Sequence, residues 1–238
     1  HLDIITVDDC RLVDEDFIKV LTSTVEYFEQ KNLPYYRINS HQGFLRNLVV
    51  RKGVNTNQLM VNIVTTTQID FDMTEYKDMI LNLGTKAEVV SILHTINDGL
   101  ADAVNCDELR VLHGRDYIEE VVLGLRFKIS PFSFFQTNTK GAEKLYTIAR
   151  EFVGDHEGKV LFDLYSGTGT IGQVMASAAK QVYGIELIEE AVVAANQNAK
   201  LNGLDNCEFI AGDVAKVVKN LEAKPDLIVV DPPRPGVH

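Results

Sequence analysis

Apolar residues recur at helical spacing near the start of the chain, where residues 14–30 place Phe17, Ile18, Leu21, Val25 and Phe28 between charged neighbours. Asp14, Glu15 and Asp16 favour the positive end of that predicted helix. Pro34 closes it, and Tyr35–Asn39 predicts a short strand. Phe44–Lys52 and Leu59–Thr67 are β-rich, and Gly53 and Asn57 between them predict a hairpin. Thr74–Leu83 predicts an amphipathic helix closed by Gly84. Val89–Ile96, Glu108–Leu112, Tyr117–Leu123 and Arg126–Ile129 predict four further strands. This half therefore predicts an α+β layer on a mostly antiparallel sheet.

The pattern changes after Pro131. Asn138–Val153 predicts a helix with Leu145, Ile148, Ala149 and Phe152 on one face. Strands and helices then alternate: Lys159–Tyr165, Ile171–Ala179, Gln181–Glu186, Glu189–Leu201, Cys207–Ala211, Val214–Leu221 and Leu227–Asp231. Asn202-Gly203 ends the second of those helices. Such βαβ repetition needs right-handed crossovers and a parallel sheet. The fold class is thus α/β, with a domain boundary expected near residues 124–135, dividing the chain into 1–125 and 126–238.

Composition narrows the function. A formal charge of −11 argues against non-specific grip on nucleic acid, so any such contact must be local. Arg37, Arg46, Arg51 and Lys52 do cluster in one segment; a solvated strand face explains Arg46 and Arg51 equally well. Cys10, Cys106 and Cys207 lie far apart, which argues against a disulfide framework or a self-contained zinc site and suits a reducing cytoplasm. No run has the length of a membrane span, and no signal peptide is visible. The first residue, His1, and the last, His238, give the expectation of a piece of something longer.

The stretch Val160–Gly172 (VLFDLYSGTGTIG) reads as a buried strand, a glycine-rich turn and the start of a helix. Gly167 and Gly169 permit backbone angles closed to other residues and let a ligand approach the main chain. Four carboxylates fall at predicted strand ends, Asp163, Glu186, Asp213 and Asp231, where a doubly wound sheet binds its ligand. Glu186 lies 23 residues after Asp163, where an acid takes both hydroxyls of an adenosine ribose. Asp213 can accept from an adenine amino group. Helix capping is the plain alternative for each acid taken singly. The run Gly167–Gly172 also fits the dinucleotide pattern, but Asp231-Pro-Pro-Arg-Pro-Gly after the fourth strand has no place there. Its prolines stiffen the loop that presents Asp231.

The combination DLYSGTGTIG, GIE, GD and DPPRPG resembles class I S-adenosylmethionine-dependent methyltransferases. The upstream SPFSFFQTN (residues 130–138) and GFLRNLVVR (residues 43–51) narrow the resemblance to RNA uracil-C5 methyltransferases of the RumA/TrmA type, over nearly the whole chain. It implies a Rossmann-like methyltransferase core, truncated after its fourth parallel strand, preceded by an α+β central domain that contacts RNA. It also implies S-adenosylmethionine as cofactor, with S-adenosylhomocysteine as product, and contacts from Gln136, Tyr165, Gly167, Gly169, Thr170, Glu186, Asp213 and Asp231. Phe134 and Asp231 would receive a flipped-out uracil, for which a stacking ring and an acceptor for a ring N–H are suitable. Packing in the core is an equal reading for Phe134 and the favoured one for Phe135. Arg46 would contact the RNA, with ribosomal RNA the implied substrate.

In such enzymes a cysteine thiolate adds to uracil C6, C5 takes the methyl group, and a base removes the C5 proton. The resemblance places that cysteine and base beyond His238, so this chain is expected to bind cofactor without catalysing. Cys10 would be one ligand of an iron–sulfur cluster whose other ligands lie outside the chain. Two other functions stay open: an amino-group nucleic-acid methyltransferase, which usually has an aromatic where Arg234 stands, and a non-catalytic RNA-binding module.

Overall fold

The computed structural model describes residues 10–101, 105–154, 156–232 and 236, with the side chains of residues 156 and 157 excepted. The contacts divide the chain into two units. The first runs to Ile118 and includes Ser130–Phe132; the second holds Glu119–Ile129 and continues from Ser133.

In the first unit, α1 (Glu15–Gln30) begins at Asp14, whose side chain accepts from the Asp16 amide and so fills one orphan position of the helix end. Strands β1 (Leu45–Gly53) and β2 (Gln58–Thr65) form the expected hairpin. Helix α2 (Thr74–Leu81) then carries the chain to β3 (Glu88–Ile96) and β4 (Glu108–Gly114). The sheet order is β1-β2-β3-β4. Two of its three pairings are antiparallel, but β2 and β3 run parallel, because α2 returns the chain to the starting end of the sheet. Phe28, Phe44, Val61, Tyr76 and Ile92 form the centre of the core.

Two expectations fail in this unit. Tyr35–Asn39 is not a strand: only isolated bridges at Tyr35 and Arg37 remain, because the chain doubles back through a turn in which Arg37 donates to Gln42 and His41 takes φ +52°. The buried stripe of α1 is Asp16, Val20, Thr24 and Phe28, leaving Leu21 and Val25 more than two-fifths exposed. Its two polar members have internal partners, with Thr24 Oγ1 at 3.0 Å from the Tyr76 hydroxyl. A hydropathy pattern does not register such partners.

In the second unit, β5 (Ile118–Val122) and β6 (Leu125–Ile129) form a two-stranded hairpin about Leu123 and Gly124, at φ 49° and 85°. Positive φ at both positions matches the twist of the strands. A boundary at 125/126 would split this hairpin; the contacts place Glu119–Ile129 with the second unit. Helix α3 (Thr139–Val153) follows, capped by Asn138, whose side chain accepts from Gly141.

The rest is β7 (His156–Leu164), α4 (Thr170–Met175) with a 3-10 turn at Ala176–Ala178, β8 (Ala179–Glu186), α5 (Glu189–Leu201), β9 (Cys207–Ala211), α6 (Val214–Asn220) and β10 (Leu227–Val230). All pairings in this sheet are parallel, in the order β10-β7-β8-β9. The order reverses between β7 and β10, which is the switch point of a Rossmann-like sheet.

Of the predicted apolar face of α3, only Ala149 packs on the core, and its three large members face outward. Leu145, Ile148 and Phe152 are 60%, 50% and 88% exposed, whereas Ala142, Tyr146 and Val153 are buried. Small Ala142 lets the helix approach Val122, Phe127 and Val174, and the Thr139 hydroxyl donates to the buried Glu120 carboxylate. Among the described residues, no helix is long and apolar enough to cross a membrane.

Candidate functional site

The carboxyl ends of β7 and β8 meet at the glycine-rich turn. β7 ends at Leu164, and Tyr165 takes φ +64°, a conformation uncommon for a bulky residue and therefore held by its surroundings. Gly167 and Gly169 follow at φ +53° and +74°. A Cβ at Gly169 would lie 2.5 Å from the Phe209 ring, so close packing as well as the angle requires glycine there. A Cβ at Gly167 would meet nothing within 4 Å, which leaves the turn open on that side. Gly169 precedes α4, whose first residue is Thr170.

Glu186, the last residue of β8, locks this turn. Its Oε2 accepts from the Gly167 amide and its Oε1 from the Ile188 amide, both at 3.0 Å. An ionised carboxylate has about four acceptor positions. These two bonds fix the group while leaving others for ligand hydroxyls, and Glu186 keeps partial solvent exposure.

The other three strand-end acids differ from it and from one another. Asp163 is 1% exposed and turned under the turn; its Oδ2 accepts from Gly172 at 2.8 Å and its Oδ1 has no partner. Burial pushes its carboxyl up to about 7, against the Gly172 bond, with Asp231 and Glu186 adding to the rise. Asp213 caps α6, its Oδ1 accepting from the Lys216 amide at 3.0 Å, so the plain capping reading holds for one of its oxygens. Asp231 follows β10 and is exposed. Its charge, after burial, raises the Tyr146 hydroxyl to about 12.

The segment after β6 reaches the same turn. The Thr168 hydroxyl, on a residue 6% exposed, lies 3.5 Å from the Phe134 carbonyl. Phe134 is 72% exposed, while Phe135 packs on Phe127 with ring centroids 5.9 Å apart. The structure thus separates the neighbours: Phe135 belongs to the core, and Phe134 is left as an open ring. Gln136, two residues on, is half-buried. Thr168 is the contributor that the motifs do not single out, and the burial of Asp163 beneath the turn has no signal in the sequence.

Arg46, in the first unit, is held by carbonyl groups. Its guanidinium donates to Asn97, Gly99 and Ala101 and stacks 4.2 Å from the Tyr36 ring centroid. Arg51 donates to Pro131, and Lys52 pairs with Asp14 and Asp16. Much of the apparent basic cluster is therefore engaged within the protein. Cys10, Cys106 and Cys207 are free thiols, and burial, then the charge of Asp163, raises Cys207 to about 12. Among the described residues, no group of three or more His, Cys, Asp or Glu side chains could hold a metal. Arg234 lies outside the described residues.

Residues 155–232 match the family model described as a methyltransferase domain. An uncharacterized RNA methyltransferase of Clostridium tetani is 60% identical over 235 residues, covering 99% of this chain and 52% of the relative. One from Clostridium acetobutylicum is 56% identical, covering 98% and 51%. The chain thus spans about half the length of these relatives. Among solved structures, the tRNA (uracil-54, C5)-methyltransferase of Pyrococcus abyssi, in complex with S-adenosyl-L-homocysteine, aligns with a TM-score of 0.76 and 29% identity. That alignment covers 99% of this chain and 56% of the other. The α/β fold with a parallel-sheet, Rossmann-like methyltransferase core agrees with these matches.

Proposed function

We propose that this chain binds S-adenosylmethionine at the glycine turn and belongs to an enzyme that methylates C5 of uracil in RNA. The observation that carries the reading is Glu186, a carboxylate fixed by two amides at the end of the second strand of the parallel sheet, beside an open glycine turn. Its remaining lone pairs suit the two ribose hydroxyls of an adenosine. The second oxygen of Asp213 suits an adenine amino group, and Gln136, Tyr165 and Thr170 line the remainder.

The cofactor, when bound, supplies an electrophilic methyl group. The residues of this chain bind and orient. The open Phe134 ring offers a stacking face for an unstacked base, and exposed Asp231 offers an acceptor for a ring N–H. Cys207 and Cys106 do not suit the nucleophile: burial and Asp163 raise Cys207 to about 12, and burial and Asp107 raise Cys106 as well. We assign the thiolate and the base to the length that this chain does not share with its relatives, and the reaction to the cytoplasm.

The engaged donors of Arg46 favour the enzyme reading over an RNA-binding module built on that residue. Ribosomal RNA was the substrate implied by sequence resemblance, and the Pyrococcus abyssi relative is named for tRNA. Both RNAs therefore enter the test.

Isothermal titration should show S-adenosylhomocysteine binding, and Glu186→Ala should weaken it about ten- to a hundredfold, as for lost hydrogen bonds to a charged group. Absence of binding by the unmodified chain would sink the proposal. For the full-length enzyme, digestion and mass spectrometry of treated ribosomal and transfer RNA should locate the methyl group on uracil. A methyl on an exocyclic amine would instead establish the amino-group alternative.

A further inference from the structure

The geometry points to Asn198 and Asn202 as a clamp that positions the β5–β6 hairpin, and through it the Phe134–Gln136 segment, against the glycine-turn helix α4. This role rests on the reading of Phe134 as the face that receives the base.

The two side chains act as a surrogate strand. Asn202 Oδ1 accepts from the Arg126 amide and its Nδ2 donates to the Arg126 carbonyl, both at 2.8 Å. Asn198 Oδ1 accepts from the Lys128 amide at 2.9 Å, and its Nδ2 lies 3.5 Å from the Lys128 carbonyl. An α-helix rises about 6 Å over four residues, and a strand advances about 6.6–6.8 Å over two. A pair of asparagines four apart on α5 therefore matches alternate residues of β6. β6 has one partner strand, so these amides satisfy backbone groups on its open edge.

The clamp also reaches the cofactor side. Asn202 Nδ2 donates to Gln173 Oε1 at 3.2 Å, and Gln173, 1% exposed, lies on α4 with its own amide bonded to the Gly169 carbonyl. Between Arg126 and Lys128 stands buried Phe127, on which Phe135 packs. One side chain is thus joined to the helix that opens at the glycine turn and to the hairpin that seats the neighbour of Phe134. The Gln173 side chain also donates through Nε2 to the Ala195 carbonyl at 3.3 Å, so both of its polar atoms tie α4 to α5.

The chain contains no tryptophan, so Phe134→Trp supplies a single reporter at the open ring. In that background, Asn202→Ala should lower the reporter's fluorescence anisotropy and speed hydrogen exchange at the Arg126 amide about tenfold, with a smaller effect at Lys128, which Asn198 still holds. S-adenosylhomocysteine affinity should fall by only about two- to fivefold, because the Glu186 bonds to the turn remain while α4 and the Gln136 segment lose one tie. Asn206→Ala is the control. It removes bonds to the Ala176 and Ala179 carbonyls without touching the hairpin, and should change neither reporter nor exchange. Equal effects of the Asn202 and Asn206 changes, or none from Asn202→Ala, would overturn the clamp. If Asn202→Ala does not fold, Asn198→Ala gives the same reading with the Gln173 arm intact. Failure of the unmodified chain to bind S-adenosylhomocysteine would fault the cofactor reading, while the ligand-free anisotropy and exchange would still decide the clamp.

Discussion

Asp16 in the first unit and Asp163 in the second are both buried carboxylates, and they receive opposite treatment. Asp16 is 2% exposed and Asp163 is 1% exposed. Asp16 accepts from the Lys86 and Ala87 amides at 2.7 and 2.9 Å and from Lys52 Nζ at 3.0 Å. Burial raises its carboxyl, but these donors and the Lys52 charge outweigh burial and hold it below the usual carboxylate value. Asp163 has one amide donor, an unpartnered oxygen and two further acids acting on it. A buried acid with its charge balanced fixes a fold. One left short of donors, beneath the turn where we propose that the cofactor binds, is a cost that packing alone does not require.

The sharpest way to break the comparison is Asp16→Ala. It leaves two amides without an acceptor and Lys52, with an 11% exposed side chain, only Asp14 as partner. Denaturant titration should show a loss of about 3 kcal/mol or more, as for a broken buried pair. S-adenosylhomocysteine affinity should not change.

Asp163→Asn should do the reverse. The folded value of about 7 lies above the ordinary 3.8, so the folded chain binds more protons than the unfolded one between about pH 4 and 7. Stability is fully present below that window and falls as pH rises through it. The amide should abolish this slope and recover ~1–3 kcal/mol at pH 8, measured by urea melts across pH. An unchanged slope would remove Asp163 as its source.

His94 gives the first unit the opposite slope. Burial, then Arg110, lowers its imidazole to about 4 from 6.5, and its Nε2 lies 2.8 Å from Thr65 Oγ1. Its contribution is present above about pH 6.5 and lost as pH falls toward 4, ~1–2 kcal/mol in size. Residue-resolved exchange should therefore show the two units drifting apart between pH 4 and 7. Asp213→Ala is the mildest change, costing about 1 kcal/mol of local stability through the lost cap of α6.

Strand and helix order across residues 139–230 was legible because a parallel sheet makes continuous apolar runs and each helix has its own end signal. Asn202-Gly203 is such a signal: Gly203 takes φ +65°, and Leu204 donates back to Ala199. Helix faces were less legible. On α1 and α3 the buried stripe includes Asp16, Thr24 and Thr139, which hydropathy counts as outward positions. The turn at 38–41 and the parallel β2–β3 pairing depend on partners distant in sequence.

By itself the sequence determined the alternation of elements, the glycine turn and the acids at the strand ends, since each depends on neighbours along the chain. Tertiary structure alone decided what each acid does: Glu186 holds the turn, Asp213 caps a helix, and Asp163 lies beneath with an oxygen unpaired. It also separated open Phe134 from packed Phe135 and engaged Arg46 with carbonyls more than fifty residues away. The physical reason is common to all of these. A side chain's chemistry follows from its donors, its burial and its neighbours' charge, and those are supplied by residues that only folding brings near.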